Sequence, residues 1–183
     1  VEETLINEPV VIETPTNEQD PIAGAPITLR VDDQNLANGT TPTGDDFDSN
    51  SIVFTEGSDA IASIVFGTDL SSLVGGLTWT RISENEIVGK DGADIIVRLD
   101  LSVTGTIAKV TATLNDNYDS HPDITMDDLQ SLGSVGVIAT DTDGDAATGI
   151  VNVEVSDDGP TITTGSVVAA DTLTVDETTL STD

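Results

Sequence analysis

The stretch Ile96-Val97-Arg98-Leu99-Asp100-Leu101-Ser102-Val103-Thr104-Gly105-Thr106-Ile107-Ala108-Lys109-Val110-Thr111-Ala112-Thr113-Leu114 decides the fold. In its first half Val97, Leu99, Leu101 and Val103 alternate with Arg98, Asp100 and Ser102. In its second half Ala108, Val110, Ala112 and Leu114 alternate with Lys109, Thr111 and Thr113. Successive side chains of a strand point to opposite faces, so this period of two predicts a β-hairpin with one dry and one wet face. Thr104-Gly105 supplies a two-residue turn between the halves.

Outward from the hairpin the same grammar recurs. Short strands are expected at 27–31, 51–55, 60–66 and 77–82, with a further pair at 136–140 and 150–155. The stretch 32–50 is rich in Gly, Pro, Asn and Asp, as turns require. Helix signals are confined to 68–74 and 125–132, each worth a turn or two, the second opening on a capping-box-like Thr125-Met126-Asp127-Asp128. Residues 1–26, with four of the seven prolines, read as a linker in which Pro9-Val10-Val11-Ile12 offers an edge strand. Many short strands between turn clusters predict an all-β antiparallel sandwich with one or two short helical turns. Its expected extent is 27–160, leaving 161–183 as the start of a next repeat or a terminal strand and tail.

Composition narrows the function. Thirty-four Asp and Glu face five Lys and Arg, a net charge of −29. Such a chain repels nucleic acid and anionic membrane alike. Charge of this size favours disorder, but the alternating Val, Ile and Leu of the middle argue for a packed core. Divalent cations are then the agent that relieves the self-repulsion. There is no cysteine, so a secreted domain of this length needs another staple, and calcium is available outside cells. No signal peptide and no run of apolar residues long enough to span a bilayer is seen, and the chain begins and ends within a pattern, as an excised piece would.

Thr28-Leu29-Arg30-Val31-Asp32-Asp33 recurs 144 residues later as Thr172-Leu173-Thr174-Val175-Asp176-Glu177, and Leu36 and Leu180 keep the same offset. Recurrence at this spacing points to a tandem array of domains joined near Asp157-Asp158-Gly159-Pro160.

The acidic motifs carry the chemistry. Asp141-Thr142-Asp143-Gly144-Asp145 throws Asp141, Asp143 and Asp145 into one turn, an oxygen-only donor set that suits Ca²⁺. It is like the front of an EF-hand loop, but Asn152 stands at the twelfth position and the flanks are strands, so a sandwich-loop site fits better. A solvated acidic turn is the plain alternative. A second cluster, 115–123, holds Asn115, Asp116, Asn117, Asp119 and Asp123 with the only Tyr, Tyr118, and the only His, His121. It reads either as a polar loop or as a Ca²⁺ site with open positions facing a ligand and Tyr118 as an apolar wall. Weaker metal candidates are Asp91 with Asp94, Asp32 with Asp33, the Asp45-Asp46-Asp48 trio, and Asp157 with Asp158 at the repeat junction. Gly75-Gly76 could present backbone N–H groups to a carboxylate, although an ordinary turn is the simpler reading. Nothing marks an enzyme: one His, no Cys, no nucleophile elbow and no phosphate loop.

The run Val31–Leu36, Phe54-Thr55-Glu56-Gly57-Ser58-Asp59, the Asn117–Pro122 stretch, 139–145 and Asp157–Pro160, taken in order, resembles the repeat of type I secreted RTX adhesins, which has nearly the period found above. The resemblance covers about 27–183. It implies an extracellular, cell-surface protein of biofilms and attachment, with several Ca²⁺ ions and neighbouring adhesin repeats as partners. Similar domains in that family are calcium-dependent peptide-binding domains that attach bacteria to host or algal cells by capturing peptide or protein C-termini, often ending Thr-Asp. This chain itself ends Ser181-Thr182-Asp183, which predicts docking of its tail into a neighbour's site in a crystal. The resemblance places ligand contact no more closely than the 115–123 loop, so Asn115, Asp116, Asn117, Tyr118 and Asp119 are the ligand-binding candidates, joined by Gly75 and Gly76 from the backbone N–H reading above. A monomer is expected, without nucleic acid or membrane insertion. A structural extender repeat rigidified by calcium, or a calcium-dependent lectin, are the alternatives; the shortage of aromatic residues speaks against the last.

Overall fold

The computed structural model describes residues 18–44, 46–118, 129–156 and 158. Among the described residues there are ten strands: β1 (Ile22–Ala23), β2 (Ile27–Asp32), β3 (Phe47–Thr55), β4 (Ile61–Phe66), β5 (Thr78–Ser83), β6 (Glu86–Asp91), β7 (Asp94–Thr104), β8 (Ile107–Leu114), β9 (Leu129–Asp141) and β10 (Ala146–Ser156). They form a six-stranded sheet, β1-β3-β8-β7-β6-β5, and a four-stranded sheet, β2-β10-β9-β4. The chain is an all-β sandwich. Its helical content among the described residues is one 3₁₀ turn, Asp33–Asn35, capped by the Asp32 carboxylate, which accepts from the Gln34 N–H.

The quoted hairpin is β7–β8, paired from Val97↔Leu114 to Thr104↔Ile107. The turn is therefore Gly105-Thr106, one residue later than expected. Val97, Leu99, Ala108, Val110, Ala112 and Leu114 are fully buried, whereas Val103 at the strand's end is 40% exposed. Across the core stand Leu29, Val31, Val135, Val137, Val151, Val153 and Val155 of the smaller sheet. Branched aliphatic side chains fill the space between the sheets, with Phe54 and Phe66 as the large plugs.

Several expectations change. The sandwich is not wholly antiparallel: β2 runs parallel to β10, from Ile27↔Val151 to Asp32↔Ser156. β6 was absent from the alternation because Ile87 and Val88 are both buried and Gly89 follows. Residues 68–74 make turns and a single bridge, Leu73↔Gly133, rather than helix. Of the second helical stretch, residues 129–132 are strand; its remainder, and Pro9–Ile12, lie outside the described residues. The expected linker is partly folded onto the sandwich, since Ile22 and Ala23 pair with Thr55 and Phe54.

β4 is an edge strand without charge or proline, Ile61-Ala62-Ser63-Ile64-Val65-Phe66. Its outer side is engaged at its end, where the Phe66 N–H donates to the Glu84 carbonyl at 2.9 Å. The opposite seam of the sandwich is stitched differently: the Arg30 N–H of edge strand β2 donates to the Asp48 carboxylate of β3 at 2.9 Å.

Candidate metal centre

The turn between β9 and β10 is built by Asp141. Its carboxylate accepts the N–H groups of Gly144 (3.0 Å) and Asp145 (2.8 Å), and its own N–H donates to the Asp145 carbonyl (3.0 Å). Gly144 takes a φ of 110°, which a residue with a Cβ adopts only under strain. Asp141 is buried, at 4% exposure, so it shapes the turn from within. Asp143 and Asp145 are left projecting outward.

They meet a segment far away in sequence. Carboxylate oxygens of Glu18, Asp143 and Asp145 all lie within 4.8 Å of one another. Residues 18–20 are held there by a backbone clasp: the Gln19 N–H donates to the Ser58 hydroxyl (3.0 Å), and the Ser58 N–H to the Gln19 carbonyl (2.8 Å). Asp59 joins the group, accepting from the Thr142 hydroxyl at 3.3 Å. Three segments thus converge acids at one pole of the sandwich.

The electrostatics record the crowding. Glu18 is pushed up to about 7, first by its hydrogen bond with Asp143 and that residue's charge, then by partial burial and by Asp59. Asp143 is held below the usual carboxylate range, because Glu18 and Asp141 donate to it. Glu18 thus holds its proton more tightly than a free glutamate does, and Asp143 less tightly than a free aspartate. Asp145 is raised by the charge of Asp20, by desolvation, and by Asp143 and Asp141. Asp141 is raised mainly by desolvation, against which the N–H groups of Gly144 and Asp145 pull. The ion pairs Arg30–Glu154 (2.8 Å) and Arg98–Glu86 (2.5 Å) lie elsewhere.

The donor set fits a hard divalent cation. Ca²⁺ takes oxygen ligands at ~2.3–2.6 Å, so two oxygens on opposite sides of one ion stand about 5 Å apart. Carboxylates spaced as Glu18, Asp143 and Asp145 are can share one ion with small adjustments.

The other expected residues are placed as follows. Asp91 and Asp94, flanking the β6–β7 turn, come together with Asp116 and Asn117 around a cleft of about 210 Å³ that also includes Ile96. The Asn38 side-chain amide donates to the Asn117 side-chain oxygen at 3.1 Å, and the Asp116 carboxylate accepts the Asn117 N–H at 2.9 Å. Asn115 continues the strand edge, its N–H donating to the Ile96 carbonyl. Tyr118 is 1% exposed and belongs to the core. Its hydroxyl donates to the Gly75 carbonyl at 2.5 Å. Gly75 and Gly76, both with positive φ, form the turn that seats it. Asp158 is engaged by Thr40, whose N–H and hydroxyl each donate to it at 2.6 Å. Asp119, Asp123 and Asp157 lie outside the described residues.

Sequence reasoning missed Glu18, Asp20 and Asp59. The first two stood in a presumed linker, and the pairing of β1 with β3 together with the Gln19–Ser58 clasp carries them to the β9–β10 turn. Among the described residues no helix is long and apolar enough to cross a membrane. No family model, no curated protein and no solved structure matches the chain.

Proposed function

We propose that the chain is a calcium-dependent β-sandwich module of a secreted bacterial surface adhesin, not an enzyme, in which Ca²⁺ fastens the entering segment to the body of the domain. The observation that carries this reading is the convergence of Glu18, Asp143 and Asp145 within 4.8 Å. The ion would be held by those three carboxylates, with Asp20 and Asp59 adding charge around it. Without a cation the same acids repel and loosen residues 18–20 from the 56–59 loop and the β9–β10 turn. With it, the entering chain is fixed in direction relative to the sandwich. Such an ion stiffens a tandem array at the joint between neighbours.

The experiment is amide hydrogen exchange with calcium and with chelator. Exchange at residues 18–23 should slow with calcium, and the melting temperature should rise by mass action, about 2.7 kcal/mol at a hundred times Kd. Unchanged exchange and unchanged melting would reject the reading.

A second reading rests on the Asp91–Asp94–Asp116–Asn117 cleft, which unites two acidic motifs beside the loop where the RTX resemblance places ligand binding. There a Ca²⁺ with open positions would capture the C-terminal carboxylate of a peptide or protein on a target cell. A peptide ending in Thr-Asp should bind in calcium and be lost on chelation or on amidation of its C-terminus. Competition by free sugar instead would favour a lectin, and binding of neither an extender.

A further inference from the structure

Among the described residues β2 and β10 are the first and last long strands, and they are neighbours running in the same direction. Parallel strands cannot be joined by a tight turn, so the chain must enter β2 at one pole and leave β10 at the other. The described ends agree with this. Glu18 lies beside the β9–β10 turn, beyond the start of β10. Asp158 lies two residues past Ser156 and holds Thr40 at the far end. β10 alone spans eleven residues, roughly 35 Å at about 3.3 Å each, between those poles.

Tension applied along the chain therefore pulls the N-terminal end of β2 toward one pole and the C-terminal end of β10 toward the other. The six residue pairs from Ile27↔Val151 to Asp32↔Ser156 are then loaded together, in shear. Two side-chain links reinforce the pair: Arg30 to Glu154 at 2.8 Å, and the Asn152 amide to the Ile27 carbonyl at 3.2 Å. Behind it Leu29, Val31, Val151, Val153 and Val155 are anchored in the core, so sliding one strand past the other must also draw apolar side chains from their seats.

We infer that the β2–β10 pair is a force-bearing clamp, which lets the module transmit tension between its neighbours without unfolding. This rests on reading the chain as one module of an extended adhesin. Residues 18–26 precede the clamp in the load path. Their release, through the Gln19–Ser58 clasp and the two-residue β1–β3 pairing, is a separate and weaker event.

The test compares two pulling directions on the same folded full-length chain by single-molecule force spectroscopy. In the first, handles sit at the two chain ends. In the second, one handle is moved to the thiol of an Ala37→Cys variant; the chain has no other cysteine, and Ala37 is exposed in the loop after β2. Pulling from residue 37 and the C-terminus tugs both strands from the same pole and opens the pairs one at a time. The expected result is a main unfolding force several-fold higher in the end-to-end geometry. Equal forces in the two geometries would overturn the clamp. Chelation supplies the separate control: it should weaken the early release of residues 18–26, and if that step ignores calcium the metal reading fails while the comparison of directions still decides the clamp.

Discussion

The Tyr118 hydroxyl donates to the carbonyl of Gly75 at 2.5 Å, joining the segment that follows the β7–β8 hairpin to the loop between β4 and β5. The ring is fully buried among core residues, and Gly75 holds a φ of +85° directly over Leu132. A Cβ at Gly75 would lie 2.9 Å from the Tyr118 hydroxyl and still closer to the Leu132 side chain.

Two substitutions report on this contact. Tyr118→Phe should lower unfolding free energy by about 1–2 kcal/mol, the loss of a hydrogen bond that leaves a carbonyl unsatisfied. Gly75→Ala should cost more, because steric overlap and backbone strain add to each other. Urea unfolding measures both, and neither should change calcium affinity.

The carboxylate cluster predicts a change of sign. In chelator at pH 8, where Glu18 has lost its proton, Asp143→Asn should raise the melting temperature, since it removes a charge that Glu18, Asp141 and Asp145 all face. In saturating calcium the same substitution should lower it. Titration calorimetry should show affinity reduced by at least about tenfold, the loss that even an outer-shell partner brings. Asp91→Asn serves as a control that leaves this site intact.

Acidity should act on the calcium-free protein through Glu18. Its folded value, about 7, lies above the ordinary 4.5, so the folded state binds the proton more tightly than the unfolded state. The stabilisation is complete below the unfolded value and is lost as pH rises through about 7. Melting in chelator should therefore improve from pH 8 down to pH 5, and Glu18→Gln should flatten that slope. Asp20, Asp59, Asp143 and Asp145 face or adjoin this group, so the slope belongs to the cluster as a whole.

At the opposite pole, Thr40→Val should remove the hydroxyl that donates to Asp158 while keeping the backbone N–H bond. The expected cost is about 1 kcal/mol. Its clearest readout is faster proteolysis just after β10, with melting of the sandwich little changed.

The hairpin was legible because both of its strands have one wet face, so Arg98, Asp100, Lys109 and Thr111 mark every second position. β6 was illegible for the opposite reason. Ile87 and Val88 are both buried, and Gly89 gives way to the Trp79 ring, which a Cβ there would meet at 2.9 Å. The metal-like turn stood out because Asp141, Asp143 and Asp145 are close in sequence. Its partner Glu18 is more than a hundred residues away, and no local pattern encodes a meeting that two sheets and a crossover bring about. The burial of Tyr118 was not legible because its neighbours in sequence are polar, whereas a phenol can bury its ring and still satisfy its hydroxyl on a carbonyl.

The β4 edge has a consequence for the protein in bulk. Ile61–Phe66 carries no lysine, proline or inward charge, devices that usually keep sheets from joining edge to edge; a register shift between Ile61 and Ser63 and the Phe66 N–H bond to the Glu84 carbonyl interrupt it as a pairing template. What keeps copies apart is mutual repulsion from a net charge of −29. That barrier reaches only about 10 Å in 0.1 M salt, and multivalent cations discharge it further. Dispersal in solution is thus a colloidal property borrowed from the whole surface rather than a local feature of the strand. Counterions that screen the acidic surface therefore thin the barrier between copies, and the β4 edge is where a close approach would first meet unpaired backbone.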